Sequence, residues 1–376
     1  PSPALLDDMP RAVARIQHAL SRKEKIGIFG DYDCDGITGA AQLVRYCQRH
    51  GCEPYVRLPH RIHDGYGLQD HIVDELLQQG LQLLITVDTG IVSVAEIERL
   101  QNADVDVIVT DHHQPGEQLP PAYAILHPAV AHNYPLPHPA GAGVAYQLLR
   151  ALEQDDWQEY AIDQALAAIG TVADLVPLHG ANRTLVSNGL AALRRIGHHP
   201  LGELLAQAEL NPETVTSGDV AFRIAPRINA AGRLADPHLA LDALLQGGTA
   251  IQDLHTLNEQ RKQQMETLFT EAVAAIEQEM ITPSLLVYRC ATGQHGLIGL
   301  VAGKLCDHFG RPSLVACAND DGSYTASLRS PAGYDITAGL QRCAQHLLRW
   351  GGHAQAAGCN IAADQFGTLV LSLIHI

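Results

Sequence analysis

Residues 30–36 read GDYDCDG, with Asp31, Asp33 and Asp35 at every second position. Side chains at i, i+2 and i+4 of an extended backbone point the same way. Three carboxylates sent to one side repel, and burying them uncompensated is costly. A solvated turn relieves the repulsion, since Asp and Gly favour turns. A divalent cation instead converts it into coordination. The triplet alone leaves both readings open, and further ligands must come from elsewhere in the chain.

Three later stretches offer them. VDTG carries Asp88, TDHH carries Asp111, His112 and His113, and GTVADLVPL carries Asp174. Asp31, Asp33, Asp35, Asp88, His112 and Asp174 form a mixed oxygen and nitrogen set that suits Mn2+ or Mg2+ better than soft metals. Five carboxylates exceed what one such ion needs. Two ions sharing a bridging carboxylate would use them all, and metals about 3.5–4 Å apart serve phosphoryl chemistry. Taken alone, Asp88 is at least as readily a turn cap. An unpaired structural carboxylate at Asp174, in its apolar setting, would be expensive. His112 and His113 on a strand end would point to opposite sides, one toward metal and the other toward packing or substrate.

Positioning these groups requires a scaffold, and the first half of the chain alternates strand-like and helix-like runs. Strands are predicted at KIGIFG (25–30), EPYVRLP (53–59), LQLLITVDTG (81–90) and DVDVIVTDHH (104–113). Helices are predicted at 37–51, ending on Gly51, at 70–79 before Gly80, and at 93–103 with Ser93 as N-cap. This rhythm implies an α/β, doubly wound, mainly parallel sheet with right-handed crossovers. Each polar cluster follows the C-terminal end of a strand, the edge where open α/β sheets bind ligands.

Residues 141–250 read as helices, including 141–154, 160–175, 182–197 and 239–248. A polar-rich helical stretch over 251–282 reads equally well as an interdomain connector or as one more packed helix. A second α/β unit follows: strands at 284–290, 313–319 and 323–330, helices at 298–310 and 335–350, and the Gly-rich GGHAQAAG at 351–358. The expected organisation is residues 1–250, a connecting helix 251–282 and a smaller domain 283–376.

Bulk properties fit two domains. The chain has 376 residues, more than one hydrophobic core usually serves. Its 41 acids against 25 bases exclude a wholly basic nucleic-acid binder, though not a local basic groove. Eight cysteines occur without any CxxC, which argues against a zinc knuckle and suits a reducing cytoplasm. No apolar run approaches a membrane span and no signal pattern opens the chain. The missing initiator Met and the uncapped apolar ending QFGTLVLSLIHI are read as fragment boundaries.

GDYDCDG, VDTG, TDHH and VADLVPL resemble, in order and approximate spacing, the four motifs of the DHH phosphoesterase superfamily. The long form GDYDCDG, with HDGYGL at 63–68, APRINAAGR at 225–233 and GGHAQAAG, is similar to its RecJ-type branch of single-strand-specific 5′→3′ exonucleases. The resemblance runs from about Leu5 to about Asn360. It implies two divalent ions, Mn2+ or Mg2+, on Asp31, Asp33, Asp35, Asp88, His112 and Asp174, with Asp88 as the bridge and Asp31 the least secure member. Asp111 would orient the histidine pair, and His113 would contact the scissile phosphate or its leaving oxygen. Arg223, Arg227, Asn229 and Arg233 would face nucleic acid. Gly351, Gly352 and His353, with Ser327, Arg329 and Ser330, would hold substrate phosphate. Taken alone, GGHAQAAG reads as a packing loop and the arginines as surface ion pairs.

The resemblance further implies single-stranded DNA admitted to a cleft between the domains, repair and recombination roles, a monomer, and a single-strand-binding protein and a helicase as partners. That branch usually continues into an oligonucleotide-binding domain, which this chain stops before. Leu328 stands where Gly is usual, against close phosphate approach. Rival readings are a short-oligonucleotide or cyclic-dinucleotide phosphodiesterase and an inactive replication scaffold. The second is disfavoured because every expected carboxylate and the histidine pair are present.

Overall fold

The structure, a computed structural model, describes the chain except residues 62, 154–159, 279–283, 291–292 and 376. Two compact units divide it, Pro1–Asn258 and Glu259–Ile376.

The first unit opens with α1 (Met9–Arg22), β1 (Ile26–Gly30), α2 (Cys34–Arg49) and β2 (Tyr55–Arg57). Then come α3 (Asp70–Gln78), β3 (Leu83–Val87), α4 (Val94–Asn102), β4 (Asp106–Thr110) and β5 (Ala124–Leu126). The five strands lie in the order β2-β1-β3-β4-β5, and every pairing is parallel. Parallel neighbours need crossovers, and the helices supply them on both faces. Strand residues alternate accordingly. Ile26, Ile28, Leu83, Ile85 and Val87 enter the core shared with α1 and α2, while Phe29, Leu84, Val107 and Val109 enter the core shared with α3 and α4. Helices α5 (Gly141–Leu152), α6 (Ala161–Ala173), α7 (Gly180–Leu193) and α8 (Pro200–Gln207) follow. The short α9 (Ser217–Asp219) runs through a π-helical turn, Val220–Ile224, into α10 (Ala225–Leu234), and α11 (His238–Leu245) completes the series.

Helix α12 (Thr249–Glu277) is continuous; Ile251 and Leu254 join the first unit's core. The last residues of the stretch expected as a connector, 279–282, lie outside the described residues. In the second unit β6 (Leu286–Cys290), α13 (Ile298–Phe309), β7 (Ser313–Ala318), β8 (Tyr324–Arg329), α14 (Ile336–Arg342), β9 (Arg349–His353), β10 (Ala356–Ile361) and α15 (Phe366–His375) succeed one another. Its sheet has the order β6-β7-β8-β10-β9; only β6 and β7 pair parallel.

Four local expectations are corrected. Helix α2 starts at Cys34, not at 37, because Asp33 caps it by accepting from the Asp35 and Gly36 amides. The acidic triplet therefore runs from a strand end through a cap into a helix, not along an extended backbone. Ser93 occupies the N-cap of α4 but makes no capping bond. The helix expected over 335–350 stops at Arg342, since Arg349–His353 pairs with β10. That hairpin turns at Ala354 and Gln355, so GGHAQAAG is strand and turn, not a packing loop. Among the described residues, no helix is long and apolar enough to cross a membrane.

Candidate metal centre

Strands β1, β3 and β4 are adjacent and parallel, so their C-terminal ends coincide. Each delivers acids there. The ladder runs one residue past the strands: the Asp31 amide donates to Val87 O at 3.1 Å and the Asp88 amide to Thr110 O at 2.9 Å. Asp88 then takes φ +60°, a left-handed conformation uncommon outside glycine. Asp174 arrives from the C-cap of α6.

These segments meet around His112. Its Nε2 is 3.0 Å from Asp88 Oδ1, 3.6 Å from Asp174 Oδ2 and 3.7 Å from Asp35 Oδ2. Oxygens of Asp31, Asp33 and Asp88 also lie within 4.8 Å of one another, so Asp88 is common to two clusters. Asp31 Oδ1, Asp88 Oδ1 and His112 Nε2 are buried and have no hydrogen-bond partner. Buried polar atoms are normally satisfied, and exceptions call for an unseen ion or water. Here Asp88 Oδ1 stands 3.0 Å from His112 Nε2, and an Asp31 oxygen lies within 4.8 Å of an Asp88 oxygen. A hard divalent cation fits that donor set.

Burial and the mutual repulsion of the acids shift the titration of these groups. Burial, then Asp33, pushes the Asp31 carboxyl up to about 8. Burial, then neighbouring carboxylates, pushes Asp35 and Asp88 well above the usual range. Asp174 rises to about 7, from burial and then Asp33. Burial, then the charge of His113, lowers His112 to about 4, which keeps its imidazole neutral as a ligand must be.

The surroundings hold these groups still. Gly141 and Ala142, at the start of α5, donate to Asp35 Oδ2 and Oδ1 at 2.6 and 3.0 Å. Asp111 is buried and accepts from the amides of Ile91, His112 and His113 and from His113 Nδ1 at 2.8 Å. Burial opposes its ionisation, but these bonds outweigh that and its carboxyl sits below the ordinary value. Burial would lower His113; Asp111 outweighs it, and the imidazole is raised to about 9. Nδ1 of this 40% exposed side chain is taken by Asp111.

Helix α10 braces the acidic loop from behind. Asn229 Oδ1 accepts from the Cys34 amide at 2.9 Å, and a Cβ at Gly232 would lie 2.5 Å from Tyr32 O, so only glycine allows that approach. Asn229, expected to face nucleic acid, is thus engaged by the protein. Arg227 is 7% exposed and donates to Arg223 O; Arg223 donates to Ala208 O. Arg233 is half-buried near Tyr32, whose hydroxyl burial pushes up to about 12 against the smaller opposing pull of Arg61 and Arg233. Two neighbours escaped the reading of the sequence. Arg61 stacks over the Tyr32 ring at 4.1 Å, and Tyr66 stands edge-on to His113 at 5.5 Å. Tyr66 lies within HDGYGL, which was singled out as a motif without a role.

In the second unit Ser327 and Arg329 share one face of β8, with Arg329 Nη1 donating to Ser327 Oγ at 3.0 Å. Leu328 points to the opposite face and is fully buried in that unit's core. Ser330 is buried, its hydroxyl within reach of the Tyr334 and Ala354 carbonyls. Gly351, Gly352 and His353 are exposed along β9.

The DHH family N-terminal domain matches residues 25–173 and the DHHA1 domain residues 282–375. The single-stranded-DNA-specific exonuclease RecJ of Bacillus subtilis is 37% identical over 374 residues, which cover 96% of this chain and 47% of the relative. RecJ of Escherichia coli is 34% identical, covering 96% of this chain and 67% of the relative. The chain thus spans about half to two thirds of these relatives' length. A crystal structure of exonuclease RecJ bound to manganese superposes with a TM-score of 0.86 at 34% identity, covering 98% of this chain and 94% of that one.

Proposed function

Since the chain belongs to the RecJ family of DHH-type proteins, we propose that it hydrolyses phosphodiester bonds of single-stranded DNA from the 5′ end, releasing mononucleotides, with two divalent ions. The observation that carries this reading is the gathering of Asp31, Asp33, Asp35, Asp88, His112 and Asp174 into overlapping clusters in which Asp31 Oδ1, Asp88 Oδ1 and His112 Nε2 are buried without a hydrogen-bond partner.

Asp31, Asp33, Asp35, His112 and Asp174 would hold Mn2+ or Mg2+, with Asp88 between the two ions. When bound, such ions lower the pKa of water and neutralise charge developing on phosphoryl oxygens. Water oxygen attacks phosphorus, and the bond from phosphorus to the 3′ oxygen of the terminal nucleotide breaks. His113 Nε2 would give the departing oxygen its proton, and Asp111 fixes the ring that does so. Arg233, Ser327, Arg329, Gly351, Gly352 and His353 would hold strand phosphates, Arg by its planar fork. Arg223, Arg227, Asn229 and Ser330 act through the scaffold they brace. The reading extends to a cytoplasmic monomer in repair and recombination, working with a single-strand-binding protein and a helicase.

The test is digestion of 5′- and 3′-labelled single strands, a duplex and a dinucleotide with Mn2+ or Mg2+. Early release of a 5′-labelled mononucleotide from the single strand, with the duplex spared, is expected. Preference for the dinucleotide, or release starting at the 3′ label, would overturn the assignment.

A further inference from the structure

Helices α2 and α6 run antiparallel. At one end Asp35 of α2 and Asp174 after α6 both reach His112. At the other, Arg45 and Arg49 of α2 reach Asp163 in the first turn of α6. Asp163 is 0% exposed. Arg45 Nε donates to its Oδ1 at 2.8 Å and Arg49 Nη1 to its Oδ2 at 2.8 Å, so each carboxylate oxygen holds one guanidinium. Arg49 also stacks over Tyr160 at 4.8 Å, and Arg45 Nη1 lies 3.3 Å from His199 Nε2.

A buried ion cluster of this kind is weak evidence for stability, since apolar residues of similar volume often serve as well or better. Its best-attested use is to fix a register. Register is what this helix pair needs. On helical spacing the stripe of α6 between the two ends carries Leu166, Ala167 and Gly170, which offer α2 no side-chain hydrogen bond or charge to set an axial position. Asp35 to Arg45 is ten residues and Asp163 to Asp174 eleven, about 15 and 16.5 Å of helix. The two spans differ by one residue's rise, which the long Arg45 side chain takes up, so the clamp at one end and the ligands at the other are set by one seating of α6 on α2. A slip of one residue would shift Asp174 against Asp35 by about 1.5 Å, whereas ligand distances tolerate about 0.2 Å. Gly170 leaves little slack near the ligands, because a Cβ there would lie 2.6 Å from Asp35 Oδ1.

We propose that Asp163, clamped by Arg45 and Arg49, is a positioning residue for the metal centre: it sets the register of α6 on α2 and with it the spacing of Asp35 and Asp174. This rests on the two-ion reading above. The test is the full chain carrying R45M, R49M and D163L together. The variant should fold cooperatively, yet bind Mn2+ about tenfold more weakly by calorimetry, the scale on which supporting groups act. Its kcat should fall while KM for a labelled single strand stays within about twofold, since strand-binding groups are untouched. Parent-like Mn2+ affinity in the folded triple variant overturns the proposal. Should the triple variant not fold, Arg45→Lys, which keeps the charge and loses the fork, decides in its place: Mn2+ binding must weaken, and unchanged affinity refutes the role. A parent chain that binds Mn2+ but cuts no strand would sink the nuclease reading and leave the Mn2+ comparison decisive. A parent chain that binds no Mn2+ sinks both.

Discussion

Asp31→Asn should stabilise the metal-free chain and remove most of the stabilisation that Mn2+ confers. Asp31 is 4% exposed, and burial followed by the charge of Asp33 raises its carboxyl from 3.8 to about 8. A raised carboxyl pKa means that the folded chain keeps a proton the unfolded chain releases. The contribution of this group to stability therefore falls as pH rises from 3.8 to about 8. At pH 7 the gap from the ordinary value is about three pH units, and at about 1.36 kcal/mol each the cost approaches about 4 kcal/mol. Asparagine removes that cost but buries an amide where Oδ1 has no partner, at about 1–3 kcal/mol. The net gain is about 1–3 kcal/mol. At roughly 2–4 °C per kcal/mol for a domain of this size, Tm in EDTA should rise by about 2–12 °C. The parent should gain about 2.7 kcal/mol at Mn2+ one hundred times Kd, and the variant much less. Thermal melts at pH 7 in EDTA and in Mn2+ test both halves. A variant that melts below the parent in EDTA, or keeps the parent's full Mn2+ gain, refutes the argument.

Asp88→Ala should abolish hydrolysis and Mn2+ binding while the fold survives, read by calorimetry and a cooperative melt; near-normal cleavage would exclude a bridging role. Asn229→Ala leaves the Cys34 amide without its acceptor and should cost about 1–3 kcal/mol in urea melts. Burial, then the charge of Arg45, lowers His199 to about 4 from an ordinary 6.5, so its contribution is complete above pH 6.5 and is lost as pH falls toward 4. Because the ring is partly solvated, about 1 kcal/mol after screening is expected, and His199→Gln should lose less stability than the parent between pH 7 and pH 5. Arg233→Ala should lower the salt slope of single-strand binding by about one, whereas Arg227→Ala, at a buried site, should show first as a lower Tm.

Much of this architecture was legible because strands buried on both faces read as unbroken apolar runs. IGIFG, LLITV and DVIVT needed no partner to be recognised, and the acids beyond them mark the ligand-binding edge. What stayed hidden depends on contacts across the chain. The alternating aspartates suggested an extended run, and only the backbone shows Asp33 closing a helix while Asp35 lies inside it. Strand β5 has three residues and exists because β4 is beside it. Residues 335–350 carry a helical pattern, but pairing with β10 claims Arg349–His353. Asn229 and Arg227 have side chains suited to a polyanion. Asn229 instead meets the Cys34 amide 195 residues away, which no local pattern reveals, and Arg227 is turned inward onto the Arg223 carbonyl by the burial of its site.

The helix ends that hold the acids have a consequence in formal charge. Asp31, Asp33, Asp35, Asp88 and Asp174 carry five negative charges once ionised, and two divalent ions return four positive ones. The amino ends of α2 and α5 meet this cluster, through the Asp35 and Gly36 amides on Asp33 and the Gly141 and Ala142 amides on Asp35. Each helix end is worth about half a positive charge. The loaded centre is therefore close to neutral, and the Asp111–His113 pair adds nothing net when both are ionised. Under the proposed reading, a phosphodiester with its own negative charge would meet no repelling field there, even on a chain whose overall charge is −16.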